Sequence, residues 1–149
     1  MPIKQLLIIT ILIAIITMGP LNREHHSAET INDCPSNASE IKEQITKIKN
    51  KEDTKTIMGN NYKEVIGEMY NNSVWRYDIC PKSGYQNEFD YDIVDMEGLV
   101  AGEVNQIVFI SFAEDGETII SKSMFYLDNK RNIHAVKFIN DRIQDEIVY

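Results

Sequence analysis

The chain has 149 residues, 43% hydrophobic and 26% charged, with a formal net charge of −8. That length fits one domain with a real core. The acidic balance, with no basic stripe, excludes nucleic acid as a partner and disfavours electrostatic contact with anionic lipid.

The first element is the apolar run Leu6–Met18, LLIITILIAIITM, preceded only by Lys4 as a charge. It has no polar face, so a core helix would need a large body around it. A short basic start followed by a compact apolar block is the pattern of an export signal. Thr17-Met18-Gly19 has the small residues of a cleavage site, but Pro20 follows it. As a helix, Leu6–Leu21 would span about 24 Å, short of a hydrocarbon core of about 30 Å. Residues 1–21 are therefore a signal peptide or a membrane anchor, with the anchor preferred. In either case the body is exported. Residues 22–36 have no apolar period and form a tether. Its adjacent His25 and His26 lack further ligands and are solvated.

Helices are expected next. Asn37 with Glu40 has capping-box spacing, and Ile41, Ile45 and Ile48 line one face. After a break at Asn50–Asp53 comes a second helical stretch, or two short ones. Asn61 and Glu64 stand at cap spacing there, and Tyr62, Val65, Ile66 and Met69 form the stripe.

The period then falls to two. In VWRYDI, Trp75, Tyr77 and Ile79 alternate with Val74, Arg76 and Asp78. PKSG is a turn. FDYDIVD reads as a strand with Phe89, Tyr91 and Ile93 opposite Asp90 and Asp92, while Gly98 and Gly102 mark a loop or bend. Asp115-Gly116 centres a hairpin with a type I′ turn, and Ile107–Phe112, apolar on both faces, is its central strand. NIHAVKF supplies another strand. Ile139, Ile143 and Ile147, spaced by four, suggest a short tail helix or a frayed end over 140–149.

These elements make an α+β domain over 37–139. Two N-terminal helices pack on one face of a four- to five-stranded antiparallel sheet, preceded by the signal or anchor helix. The chain has two cysteines, Cys34 and Cys80. In an exported domain they can join, closing a loop of about 45 residues and contributing about 3–4 kcal/mol in the chain-entropy view. Two unpaired thiols are the alternative.

No G-x-S-x-G, H-E-x-x-H, phosphate loop or dinucleotide fingerprint is present, and nothing calls for a cofactor or metal. A Cys80–His134 nucleophile pair rests on chance co-occurrence. Asp90 and Asp92, about 6.6 Å apart on one strand face, would suit a carboxylate pair but lack calcium-loop spacing. The polar members of the open sheet face, Arg76, Asp78, Asp90 and Asp92, are the candidate binding residues. Trp75 reads as a core residue beneath a helix.

The order of a helix ending near GNNYKEVIGEMYNN, the strand VWRYDI and the unit IVFISFAEDGETII resembles the SmpA/OmlA (BamE-like) domain, itself similar to the repeat of the β-lactamase inhibitory protein. Val65, Trp75, Tyr77, Phe112 and Gly116 stand at the matching places, over roughly Asp53 to Phe125. Met69-Tyr70-Asn71-Asn72 replaces the family's Gly-x-Pro, and no lipid-bearing cysteine follows the export block. The resemblance implies a fold and a binding role, and no functional residues. The abundance of Ile, Lys and Asn is the coding bias of an AT-rich, bacterial genome. The expected protein is an exported, membrane-anchored, non-enzymatic binding domain that contacts an envelope protein or cell-wall component. The alternatives are a hydrolase using Asp90, Asp92, Asp95 and Glu97, and an inhibitor of a secreted enzyme.

Overall fold

The structure, a computed structural model, describes residues 34, 37–67, 72–87, 90–140 and 142–149. The segment expected to be a signal or anchor, the tether with His25 and His26, and Phe89 of the expected acidic strand lie outside the described residues. Among those described, no helix is long and apolar enough to cross a membrane.

Asn37 caps α1 (Ala38–Lys47), its side chain accepting a hydrogen bond from the Ser39 amide at 2.9 Å. Asn50 caps α2 (Lys51–Met58) through the Asp53 amide. The expected break at Asn50 is thus the start of the second helix, and Gly59 ends it at φ +82°. Both caps accept an amide hydrogen that the helix cannot itself bond.

Beyond Gly59 the expected fold is overturned. Lys63–Gly67 is a strand, β1, and the helical stripe through Tyr62, Val65 and Ile66 does not form. Val65 and Ile66 are β-branched, and their partners Val74 and Ser73 on β2 (Asn72–Ile79) complete a ladder that a short helix could not offer. The acidic segment is no strand either. The Ile93 amide closes a turn on the Asp90 carbonyl, and Asp95 then caps α3 (Met96–Ala101) through the Gly98 amide at 2.8 Å. Gly98 and Gly102, expected in a loop, lie in this helix and at its left-handed C-cap.

The hairpin of β3 (Gln106–Phe112) and β4 (Ile119–Leu127) is present. Its loop is wider than a two-residue turn. The Ala113 amide bonds to the Thr118 carbonyl, and Asp115 accepts from the Glu117 and Thr118 amides. β5 (Ile133–Ile139) follows as expected, and the supposed tail helix is β6 (Arg142–Ile147). A spacing of four is an even number, so Ile143 and Ile147 share a strand face as well as they would share a helix face. The turn at Asn140, φ +53°, decides for the hairpin.

The result is a six-stranded antiparallel meander, ordered β1-β2-β3-β4-β5-β6, in place of two helices on four or five strands. On one face, Ile41 and Ile45 of α1 and Ile48 at its C-cap pack on Trp75, Tyr77, Ile110, Met124, Val136 and Phe138. Each buried isoleucine contributes about 1.5–3 kcal/mol. Lys122 of β4 reaches over to donate to the Ile45 and Ile48 carbonyls, capping the end of α1. Trp75 stacks on Tyr62 with centroids 3.8 Å apart, under Lys51 and Lys55. Among the described residues, the opposite face is covered at one end, where Leu99 of α3 and Val104 cluster with Ile107 and Ile133, and the cluster runs on through Phe109 to Val74.

A disulfide joins Cys34 to Cys80, with Cα atoms 5.6 Å apart and 46 residues between them in sequence. It ties the chain just before α1 to the end of β2.

Candidate functional site

Strand alternation carries Val74, Arg76 and Asp78 of β2 to the half-covered face. The register places Ser111 beside Val74 and Phe109 beside Arg76, then Ser121 beside Ser111 and Ser123 beside Phe109. At the end of the sheet away from α3, Val74, Phe109 and the three serines floor an open groove of about 970 Å³, and Arg76 and Asp78 are not part of its lining. Val74, Phe109 and Phe125 make its apolar base, and Ser111, Ser121 and Ser123 set a cluster of hydroxyls beside it, Ser121 opposite Ser111 and Ser123 two residues farther along β4. Gly67 and Asn72 bound it on the β1 side, and Asp92 and Val94 on the side of the acidic loop. Ile120, the extra residue where the β3–β4 register shifts, closes its far end and is 52% exposed.

The four candidate binding residues do not share one role. Arg76 is fully buried, and its Nε donates to Asp78 Oδ1 at 2.7 Å. One terminal nitrogen donates to the Ile93 carbonyl at 2.8 Å and the other to the Tyr85 hydroxyl at 3.4 Å. Asp78 also takes Lys63 Nζ at 3.2 Å. A guanidinium paired and hydrogen-bonded in this way can be buried without a stranded charge. Arg76 and Asp78 therefore hold the acidic loop against the sheet and are not free to meet a ligand. Asp92 lines the groove. Asp90 is exposed on the turn, outside the groove lining, so the two do not form the expected strand-face pair.

The wider carboxylate set is also dispersed. Asp95 accepts from the Gly98 amide and from the Tyr85 hydroxyl, 2.9 Å away. Burial, and then that bond to Asp95, push the Tyr85 phenol far above its ordinary value, so it stays a donor. Of Asp90, Asp92, Asp95 and Glu97, only Asp92 is part of the groove.

Cys80 is in the disulfide and offers no thiol to His134. His134 belongs to a different cluster, on the helix-covered face at the β4–β5–β6 end. Its Nδ1 lies 2.7 Å from Asp145 and its Nε2 3.2 Å from Asp128, and its ring stacks on Tyr126. Lys42 of α1 donates to Asp145 at 2.6 Å and to the Tyr126 hydroxyl at 3.1 Å. Burial works against the His134 cation, but the two carboxylates outweigh it and raise its pKa. Burial likewise opposes the Asp145 anion, and the bonds from Lys42 and His134 still hold its pKa down. With a carboxylate on each ring nitrogen, His134 has no free position to take a proton from a substrate. Its arrangement suits a clamp between strands. Among the described residues no cluster of three or more His, Cys, Asp or Glu could hold a metal ion.

Sequence reasoning missed the serine cluster and the two phenylalanines beside it. The signal was present: pairing the strands around Asp115-Gly116 sets Ser111 opposite Ser121, hydroxyls in the middle of strands otherwise rich in apolar residues. Compared with known proteins, the chain matches no family model, no curated protein and no solved structure.

Proposed function

We propose that the protein is an exported binding domain that uses the half-covered sheet face to hold a segment of an envelope protein or a cell-wall component. The observation that carries this reading is the open groove with an apolar base and a cluster of three serine hydroxyls. Apolar groups of a partner can sit on Val74, Phe109 and Phe125 while its polar groups bond to the hydroxyls and to Asp92, the usual composition of a ligand site. Among the described residues, the charged group that lines the groove is the carboxylate of Asp92, and the chain carries −8 overall, so the favoured partner is neutral or cationic. The apolar opening segment supports export, and so does the Cys34–Cys80 disulfide, a bond that persists in oxidising compartments. The resemblance to the SmpA/OmlA domain adds only the general idea of a small envelope binding domain. An inhibitor of a secreted enzyme would use the same face.

The test is a groove-filling variant, Ser123→Phe, compared with the unaltered full-length chain in affinity capture from an envelope extract, with the bound molecule identified by mass spectrometry. The variant should lose that molecule at least tenfold while keeping its melting temperature and its disulfide. Equal capture by both proteins would remove the groove from the account. Recovery of the full-length chain among soluble intracellular proteins on cell fractionation would remove the envelope.

A further inference from the structure

The sheet has two edge strands, β1 and β6. β1 is five residues long with charges at Lys63 and Glu64, and β6 is six residues long with charges at Arg142, Asp145 and Glu146, a usual defence of an edge strand. β6 pairs with β5 through six consecutive positions without a bulge and contains no proline. Of the nine large hydrophobic side chains exposed among the described residues, five fall between Ile139 and Tyr149, and Ile143 and Ile147 are 49% and 60% exposed on β6 itself. The ladder phase follows from the Val148 amide, which bonds to the Ile133 carbonyl across β5. Alternation then turns the backbone groups of Arg142, Gln144 and Glu146 toward β5. Those of Ile143, Asp145 and Ile147 turn outward, away from the sheet.

We infer that β6 pairs with β6 of a second copy of this chain, antiparallel about a two-fold axis through Asp145, making one continuous twelve-stranded sheet. An isologous pairing must place each residue opposite a partner on the same sheet face, and this register does so with all three outward residues in hydrogen-bonded pairs. Ile143 faces the partner copy's Ile147, and the reverse, so each exposed isoleucine is covered by one from the other copy. Gln144 faces the partner copy's Glu146, and Arg142 stands diagonal to that same Glu146, within reach of a long side chain. The residue on the axis, Asp145, would repel its copy if bare, but Lys42 and His134 of its own chain already hold each carboxylate. Each copy carries −8 overall, and that long-range repulsion is screened within about 8 Å at physiological salt. This pairing involves neither the groove nor its ligand.

The test uses the full-length chain at physiological salt. Sedimentation equilibrium reads the mass, and amide hydrogen exchange reads Ile143, Asp145 and Ile147. The expected result is a concentration-dependent dimer in which these three amides are protected, and at least tenfold weaker association in the Ile143→Lys, Ile147→Lys double variant. Both positions are exposed, so the fold should survive; Ile147→Lys alone serves if the double variant melts early. A monomer up to the solubility limit would overturn the inference. So would a dimer whose three amides exchange freely, or protection of those amides in the monomer, which would show that the chain covers its own edge. Protection that arises only when a different protein is added would also overturn it, since the edge would then take another partner.

Discussion

The two faces of the sheet are drawn from the same strands and solve burial in opposite ways. On the helix-covered face, successive inward residues are Trp75, Tyr77, Ile110, Phe112, Met124 and Val136, and α1 closes over them with three isoleucines. On the other face the alternate residues of the same strands include Arg76, Asp78, Ser111, Ser121 and Ser123. There the covering is a short helix at one end and a loop pinned by a buried guanidinium. The first face gains stability from area removed from water. The second keeps polar groups near an opening, which costs stability unless each is bonded. A surface meant to meet a partner is expected on the second.

The sharpest way to break this contrast is at the centre of the packed face. Trp75→Ala should cost about 3–5 kcal/mol, read as a fall in the urea midpoint, because the indole fills space that Tyr62, Phe112 and α2 cannot collapse into. A cost under about 1 kcal/mol would mean the two faces are not packed differently.

Next in size is the pin on the open face. Arg76→Leu should cost about 3 kcal/mol or more, since it leaves Asp78 nearly buried with Lys63 as its remaining cation and strips a donor from the Ile93 carbonyl. Its distinguishing readout is local: amide exchange in 90–95 should rise well before the strands open. Uniform loosening of the whole sheet would show that Arg76 does not hold that loop.

The smallest effect concerns the His134 clamp and its pH dependence. The titratable and charged groups around it are Lys42 on α1, Tyr126 on β4, Asp128 after β4 and Asp145 on β6. Because its folded pKa is raised, the stability it contributes is complete below its unfolded value of about 6.5 and is lost as pH rises through the folded value. Asp128 and Asp145 behave in the opposite sense. Their folded pKa values are depressed, so their contribution holds above about pH 4 and is lost on acidification. Between pH 6 and pH 9 the native chain should lose stability relative to His134→Gln by less than about 1 kcal/mol, as expected of a partly exposed pair. Parallel melting temperatures across that range would show that the ring carries no such charge.

Much of the local structure was legible. The α1 stripe, the alternation of VWRYDI, the place of Trp75 under the helices, the NIHAVKF strand and the hairpin around Asp115-Gly116 follow from period and turn residues, though the type I′ turn expected there is replaced by a wider loop. The errors fall where two periods fit one short stretch. Tyr62, Val65 and Ile66 satisfy a helix over one turn, yet Val65 finds Val74 across a ladder. Ile143 and Ile147 satisfy both periods, and only the turn at Asn140 separates them. The acidic segment alternates like a strand, but Asp95 is better used as the cap of α3 and the Asp90–Ile93 turn delivers the chain to it. The candidate site was half legible. Asp92 reached the groove, Arg76 and Asp78 became its internal support, and the serine cluster waited on the register of β3 and β4.

By itself the sequence determined the local choices that depend on near neighbours: caps at Asn37, faces of single elements, the hairpin, the acidic balance and the apolar opening segment. Only the tertiary structure decided which ambiguous stretches became strands, that Cys34 meets Cys80, and that Arg76 turns inward while Ser111, Ser121 and Ser123 gather at an opening. Those outcomes depend on partners tens of residues away. A segment of five or six residues has too little local preference to resist a ladder that satisfies all its backbone groups at once.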